Sequence, residues 1–234
     1  MNVKSYLNRV RFSVLFSGGK DSLASLLWVL DNVHHSHWNI VYVEVTGNTH
    51  PLCTKYVKET CKRLGVYDRL LIVKREDMTF WDAMRKWGIP LLGGHRWCMH
   101  EFKNKLFKKH AYRVTVTGIR NEESLPRRYV PAIRFYRKTE QINVNPIITW
   151  NKQQVADYIK QHNAPINPCY KIYGHSANCM FCPYRDKTSI IKTLADSYWR
   201  KIILTELSNA KAKSKLQQEV KHRWLNLAKQ NILL

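Results

Sequence analysis

The chain has 234 residues and a mass of 27.7 kDa, the size of one large domain or of a domain with a small appendage. Lys and Arg number 39 against 17 Asp and Glu, and the formal charge of +22 with a pI near 9.9 excludes an ordinary charge-balanced surface. With 44% hydrophobic and 12% aromatic residues but only 9 Gly and 8 Pro, a disordered or collagen-like chain is excluded as well.

In chain order, Met1 to Phe16 alternates charged with apolar residues where a secretory leader would hold an unbroken apolar run. No stretch approaches the roughly 18 apolar residues of a membrane span, so the expectation is a cytoplasmic protein with no membrane partner. Phe12 to Phe16 is the first apolar run, closed by Ser17-Gly18-Gly19-Lys20-Asp21-Ser22. Leu23, Leu26, Leu27 and Leu30 then repeat at the spacing of one helix face. A glycine pair at a strand-to-helix turn lets backbone N–H groups approach an anion. The helix dipole and the Lys20 ammonium add positive charge, so the segment reads as a phosphate cradle. Its spacing is neither that of a Walker loop nor that of a dinucleotide fingerprint.

Ile40 to Val45 is the second run, followed by the turn Thr46-Gly47 and by Tyr56, Val57, Cys61 and Leu64 at helical spacing. Leu70 to Val73 and Tyr112 to Thr117 are the third and fourth runs. The order β, α, β, α, β, α, β predicts an α/β fold with a doubly wound parallel sheet. A fifth strand is expected near Ile142 to Ile147, after which Thr149 or Asn151 caps a helix carrying Val155, Tyr158 and Ile159. Beyond Pro183 the pattern is helical, through Ile190, Leu194, Trp199, Ile203, Val220, Trp224 and Leu227. It reads as two basic helices divided near Asn209. The division expected is an α/β nucleotide-binding domain over residues 1–165, with a cysteine knuckle and basic helical tail over 166–234 packed on it.

Six cysteines are present: Cys53, Cys61, Cys98, Cys169, Cys179 and Cys182. In a reducing compartment a Cys-x-x-Cys with further Cys elsewhere points to metal or redox chemistry. Cys53 and Cys61 have no ligand-like neighbours and read as small buried apolar side chains or surface thiols. Cys179-Met180-Phe181-Cys182-Pro183 is a knuckle, and with Cys169 and Cys98 it supplies the four thiols of a tetrahedral site. Zn²⁺ with His95, His100 or His175 as fourth ligand is equally allowed.

The cations fall into three groups. Lys103, Lys105, Lys108, Lys109 and Arg113 form one, and Lys211, Lys213, Lys215, Lys221 and Arg223 another. Between them Arg127, Arg128, Arg134, Arg137 and Lys138 are interleaved with Tyr129, Phe135 and Tyr136. So much self-repulsion suits a polyanion, and aromatics among cations can stack on unpaired bases, so nucleic acid is an expected partner.

The segment Ser17 to Ser22 resembles the signature Ser-Gly-Gly-x-Asp-Ser of the PP-loop superfamily of ATP pyrophosphatases. That resemblance implies an adenine nucleotide alpha hydrolase-like fold and cleavage of ATP between the α and β phosphates. Ser17, Gly18, Gly19, Lys20, Asp21 and Ser22 would hold the leaving pyrophosphate with Mg²⁺, and Thr46 and Gly47 would lie against the nucleotide. Thr46-Gly47 with His50-Pro51, Arg96-Trp97-Cys98 with Lys103, and Gly118-Ile119-Arg120 with Glu123-Ser124 and Arg127 are similar to elements of the PAPS (sulfonucleotide) reductase family. Its relatives include the DNA phosphorothioation enzyme and ATP sulfurylase small subunits, and the likeness spans nearly residues 12 to 184. Gly118, Arg120 and Arg127 then belong to the ligand crevice at the carboxyl edge of the sheet, the arginines as oxyanion clamps. Lys20, Asp21 and Arg120 are the implied catalytic residues.

In the iron-sulfur members of that family a [4Fe-4S] cluster is held by cysteines matching Cys98, Cys179 and Cys182. Here the fourth ligand is Cys169, or the fourth iron is open and can hold sulfide. Sulfonucleotide reductases also carry a nucleophilic Cys in a C-terminal tail, whereas this chain ends Asn231-Ile232-Leu233-Leu234 with no Cys after Cys182. With the intact loop, that favours activation by ATP over direct reduction of PAPS. The expected reaction adenylates an acceptor and introduces sulfur, on tRNA or another nucleic acid, with a donor protein or sulfide as the source. A homodimer is among the assemblies allowed. The alternatives are small-molecule sulfonucleotide metabolism and a non-catalytic nucleic-acid-binding protein with a structural metal.

Overall fold

The computed structural model describes residues 2–91 and 96–230. Its elements in chain order are α1 (Val3–Leu7), β1 (Phe12–Leu15), α2 (Lys20–Asn32), β2 (Trp38–Glu44), α3 (Pro51–Arg63), β3 (Leu70–Lys74), α4 (Phe80–Trp87) and α5 (Trp97–Met99). A π-helical turn, His100–Asn104, leads into α6 (Lys105–His110), β4 (Val114–Val116), β5 (Ile133–Tyr136), β6 (Gln141–Val144) and α7 (Lys152–Gln161). The chain closes with α8 (Cys169–Tyr173), α9 (Lys187–Ala195), α10 (Ser197–Asn209) and α11 (Lys215–Gln230). Among the described residues, no helix is long and apolar enough to cross a membrane.

The chain divides into two compact units. Met1–Val43, Thr54–Val73 and Asn104–Asn167 form the first; Glu44–Cys53, Lys74–Lys103 and Pro168–Leu234 form the second. The second unit is more than a C-terminal appendage, because it also takes in two segments from the middle of the chain.

The strands form one six-stranded sheet in the order β3-β2-β1-β4-β6-β5. β1 runs parallel to β2 and β4, and β4 parallel to β6, as buried apolar strands joined by helical crossovers require. β5 departs from the expected pattern. It is antiparallel to β6 at the sheet edge, and its Ile-Arg-Phe-Tyr sequence has no buried residue.

The register puts Val14, Ile40, Val116 and Val144 side by side on one face, all of them buried. The other face joins Leu15, Val41, Val43 and Val73 to Leu106 and Phe107 of α6. Within this second face runs a polar row, Asn39, Ser13, Thr115 and Asn143, on four adjacent strands, with Asn39 partly exposed and the other three buried. Ser13 Oγ donates to Asn39 Oδ1 at 2.6 Å and Thr115 Oγ1 to Asn143 Oδ1 at 2.9 Å. α2 packs on α7, where the Tyr158 hydroxyl donates to Asp31. Asn151 caps α7, accepting from Gln154 N at 2.8 Å, as one of the two expected residues.

Beyond Pro183 the described residues hold three helices rather than two. The break near Asn209 is present, but Asp196 interrupts the first stretch and caps α10 by accepting from Trp199 N at 3.1 Å. In the second unit α9, α10 and α11 pack on one another around an aromatic core. There Phe80 lies 5.1 Å from Trp97 and Phe181 lies 4.9 Å from Trp224, between ring centroids.

One backbone contact positions the expected site in the first unit. Gly118, just beyond β4, passes so close to the first turn of α2 that a Cβ there would meet the Asp21 carbonyl carbon at 2.5 Å and Ser22 N at 2.7 Å. Backbone cannot yield as a side chain does, so Gly118→Ala should cost about 1–3 kcal/mol. At this chain length that lowers Tm by about 2–12 °C in a thermal scan. An unchanged Tm would show that the two backbones are free to separate.

Candidate functional site

In the first unit the turn from β1 into α2 is organised by one hydroxyl. Ser22 Oγ donates to Gly19 O at 2.9 Å, accepts from Ser17 N at 3.2 Å and lies 3.1 Å from Ser17 Oγ. Gly18 sits at φ +76°, a left-handed conformation that glycine adopts without strain. Its carbonyl accepts from the buried Asn167 Nδ2 at 3.0 Å, which pins the turn from outside. Gly19 precedes α2 and offers no side chain to its first amides. A helix N-terminus of that kind presents N–H groups and the positive end of the dipole to an anion.

Asp21 and Arg120 meet across this turn. Arg120 is only 4% exposed; its Nε donates to Asp21 Oδ1 at 2.6 Å, and one terminal nitrogen donates to Glu122 Oε2 at 2.8 Å and to the Trp150 carbonyl at 3.2 Å. Glu123 then accepts from Arg120 N at 2.9 Å and pairs with Arg127. Burial pushes the Asp21 carboxyl up from its ordinary value, while Arg120 pulls it back. Burial opposes the Arg120 charge, but Asp21 and Glu122 outweigh it and hold its pKa up. The expected residues Asp21, Gly118, Arg120 and Arg127 are thus brought together with the Ser17 to Ser22 turn. Arg120 grips Asp21 with the same fork that was expected to clamp an oxyanion.

Thr46 and Gly47 lie in the second unit. The Thr46 hydroxyl donates to the Arg75 carbonyl, and Gly47 O accepts from Trp81 Nε1 at 2.7 Å. The turn continues into a residue that the sequence reading passed over. Asn48 is fully buried, and its amide accepts from Phe181 N at 2.8 Å and donates to Phe181 O at 3.0 Å, while its carbonyl accepts from Met180 N at 2.7 Å. Thr49 Oγ1 donates to Asn178 O at 2.8 Å, and His50 N donates to Ala177 O at 2.9 Å. The turn after β2 therefore holds the backbone at Ala177, Asn178, Met180 and Phe181, within and just before the Cys179-x-x-Cys182 turn. The available signal was Gly-Asn directly after a strand, a pairing that usually marks only a turn.

Cys98, Cys179 and Cys182 are electrostatic neighbours. Burial pushes the Cys98 thiol up to about 11 and raises Cys182; Cys179 adds to both, and Arg96, Lys103 and Arg185 act against the rise. Lys103, on the π-helical turn, donates to Asn178 Oδ1 at 3.4 Å, and Arg185 donates to the Cys179 carbonyl at 2.8 Å. Three soft donors ringed by three cations suit an anionic thiolate–metal group in kind. Among the described residues, however, no group of three or more His, Cys, Asp or Glu side chains is gathered closely enough to hold a metal ion.

Cys169, the other expected thiol, lies on α8. It is buried, and burial, with the Cys53 thiol nearby, pushes its own thiol up to about 12. Cys61 is buried too and raised to about 12 by burial, in line with its reading as a small apolar side chain. The candidate histidine ligands fare differently. His95 lies outside the described residues. His100 is exposed and pairs with Glu101 at 2.8 Å. Both ring nitrogens of His175 are in use, Nδ1 accepting from Ala177 N at 3.0 Å and Nε2 lying 3.1 Å from Thr193 Oγ1. His175 holds a turn in place with both nitrogens engaged.

Comparison with known proteins gives a coherent result. Residues 11–184 match the sequence profile of the phosphoadenosine phosphosulfate reductase domain. An uncharacterised protein of Methanocaldococcus jannaschii is 30% identical over 179 residues, which is 73% of this chain but 35% of that one. The chain thus spans about a third of that relative's length. An adenosine 5'-phosphosulfate reductase of Bacillus subtilis is 30% identical over 98 residues, 38% of this chain and 42% of that one. In structure, the PAPS reductase of Candida auris aligns with TM-score 0.52 at 17% identity, covering 73% of this chain and 84% of that one. That likeness is one of fold.

His175 also sets a pH dependence. Burial, with Arg185 and His50 nearby and Asp186 opposing, pushes its pKa down to about 3, whereas an unfolded His titrates near its ordinary value of about 6.5. Between those values the unfolded chain holds more protons, so stability present above pH ~6.5 is lost as pH falls toward 3. Urea unfolding should show a loss of roughly 2 kcal/mol between pH 6.5 and 5 from this residue. His175→Gln should flatten that part of the curve, and an identical slope in the variant would assign it to other groups.

Proposed function

The chain belongs to the phosphoadenosine phosphosulfate reductase domain family, and on that footing we propose that it is an ATP-dependent enzyme that forms AMP and pyrophosphate while adenylating an acceptor. The turn Ser17 to Ser22 carries this reading, an unaltered Ser-Gly-Gly-Lys-Asp-Ser segment at the N-terminus of α2 with no side-chain cap. The amides of its glycines and first helical residues would bind the β- and γ-phosphate oxygens. The Lys20 ammonium would offset the charge that builds on pyrophosphate as the α–β bond breaks. Asp21, oriented by Arg120 at 2.6 Å, is the carboxylate that would hold Mg²⁺ arriving with the nucleotide, and the ion would neutralise phosphate charge there. Gly118 lets the end of β4 close on the turn without a side chain between them.

The activated acceptor would then receive sulfur, and the +22 charge supports a nucleic acid, tRNA or DNA, as that acceptor. Cys98, Cys179 and Cys182 would hold a [4Fe-4S] cluster, with Zn²⁺ as the alternative; when bound, a cluster with one open iron supplies a place for sulfide. Arg96, Lys103 and Arg185 would stabilise the thiolate form of these ligands. The second reading, small-molecule sulfonucleotide chemistry, draws its support from the similarity to adenosine 5'-phosphosulfate reductases.

Lys20→Ala should lower pyrophosphate release from ATP by about a hundredfold or more, with circular dichroism unchanged. Unchanged release would remove the PP-loop assignment, and turnover only when a sulfonucleotide is added would favour the second reading. Cys179→Ser and Cys182→Ser should each lose metal by elemental analysis of anaerobically purified protein, because a hydroxyl is a poor replacement for thiolate. Cys169→Ala should keep its metal. Loss in Cys169→Ala would return that residue to the ligand set, and full metal in both serine variants would remove the site.

A further inference from the structure

Within the first unit, the loop that carries Arg120 continues outward into an exposed surface with no role in the phosphate turn. It is an ordered loop. Arg127 N donates to Ser124 O at 2.9 Å, Val130 N to Arg127 O at 3.0 Å, and Asn145 N to Ala132 O at 2.7 Å. On this fixed scaffold Tyr129 is 87% exposed, and Phe135, on the edge strand β5, is 55% exposed. Large rings held out in water by a well-bonded backbone signal a surface made to be covered.

The charge around the rings says by what. Every carboxylate nearby is already engaged, Glu122 by Arg120, Glu123 by Arg127 and Glu140 by Lys108 at 2.7 Å. Arg128, Arg137 and Lys138 have no carboxylate bonded to them among the described residues, and Arg134 lies over the Tyr136 ring at 5.4 Å. An acidic protein surface would satisfy the cations but not the rings. An apolar partner would satisfy the rings and strand the cations. An unpaired polynucleotide strand satisfies both, through phosphates on the cations and base faces on the rings, whereas in a duplex the base faces are hidden in the stack.

Resting on the nucleic-acid acceptor reading above, we propose that this surface, from Tyr129 along β5 to Lys138, binds a single-stranded segment of the acceptor. It begins at the loop whose inner end, Arg120, grips Asp21, so a bound strand would lie at the outer end of the nucleotide site of the same unit.

The test measures fluorescence anisotropy of the full chain with a labelled unstructured 12-mer, as RNA and as DNA, and with the matching duplex, at two salt concentrations. Single strands should bind more tightly than duplex. Tyr129→Ala and Phe135→Ala should each weaken single-strand binding by about tenfold while leaving the salt slope unchanged. Arg128→Glu with Arg137→Glu should flatten the slope by about 0.7 per lost contact. Duplex binding as tight as single-strand binding would overturn the proposal, as would aromatic variants with wild-type affinity. If the unsubstituted chain binds none of the three, the acceptor reading itself falls, a different outcome from binding that ignores Tyr129 and Phe135.

Discussion

The first unit is organised around a half-buried ion pair formed where two backbones touch. Asp21 and Arg120 are 99 positions apart in sequence, and their 2.6 Å bond closes the end of β4 onto the start of α2. Such a pair is costly to bury, and it pays only because Glu122, Glu123 and the Trp150 carbonyl take up the other guanidinium and backbone donors. The close pass of Gly118 makes the bond possible, since any side chain at that point would hold the two segments apart. The phosphate turn, its acidic residue and the outer basic loop are therefore parts of one construction.

The second unit solves a similar problem with neutral groups. A Cys-x-x-Cys turn has little secondary structure to hold it, and its backbone must be fixed before its thiols can share a ligand. Asn48 does this by imitating a strand partner, one amide matched to both backbone groups of Phe181. Around it the rings of Phe80, Trp81, Phe181 and Trp224 give the turn a rigid apolar floor.

Much of this was readable in the order of residues, for physical reasons. Buried parallel strands need unbroken apolar runs, so β1 and β2 announced themselves, and the phosphate turn followed from glycines placed between a strand and a helical repeat. β5 was not readable because an edge strand needs no core-facing run; Arg134, Phe135 and Tyr136 look the same in a loop. The break at Asp196 was missed because the apolar spacing continues through it, and only the capping side chain reveals the new start. Among the site residues, those joined by local spacing were foreseen as a group. The role of Asn48 depends on a contact between segments more than a hundred residues apart, which no local pattern records.

The polar row across the sheet carries a consequence for assembly. Asn39, Ser13, Thr115 and Asn143 face one another only in the native alignment, with Ser13 Oγ also accepting from Tyr112 N at 2.8 Å. A strand shifted by one residue would turn these groups to the apolar face and leave buried hydroxyls and amides without partners, whereas valines would tolerate the shift well. The row therefore works as a key cut into an otherwise greasy lock. It gives up some hydrophobic contact so that strands from distant parts of the chain can close in one alignment only, and the turn at the end of β1 inherits its position from that alignment.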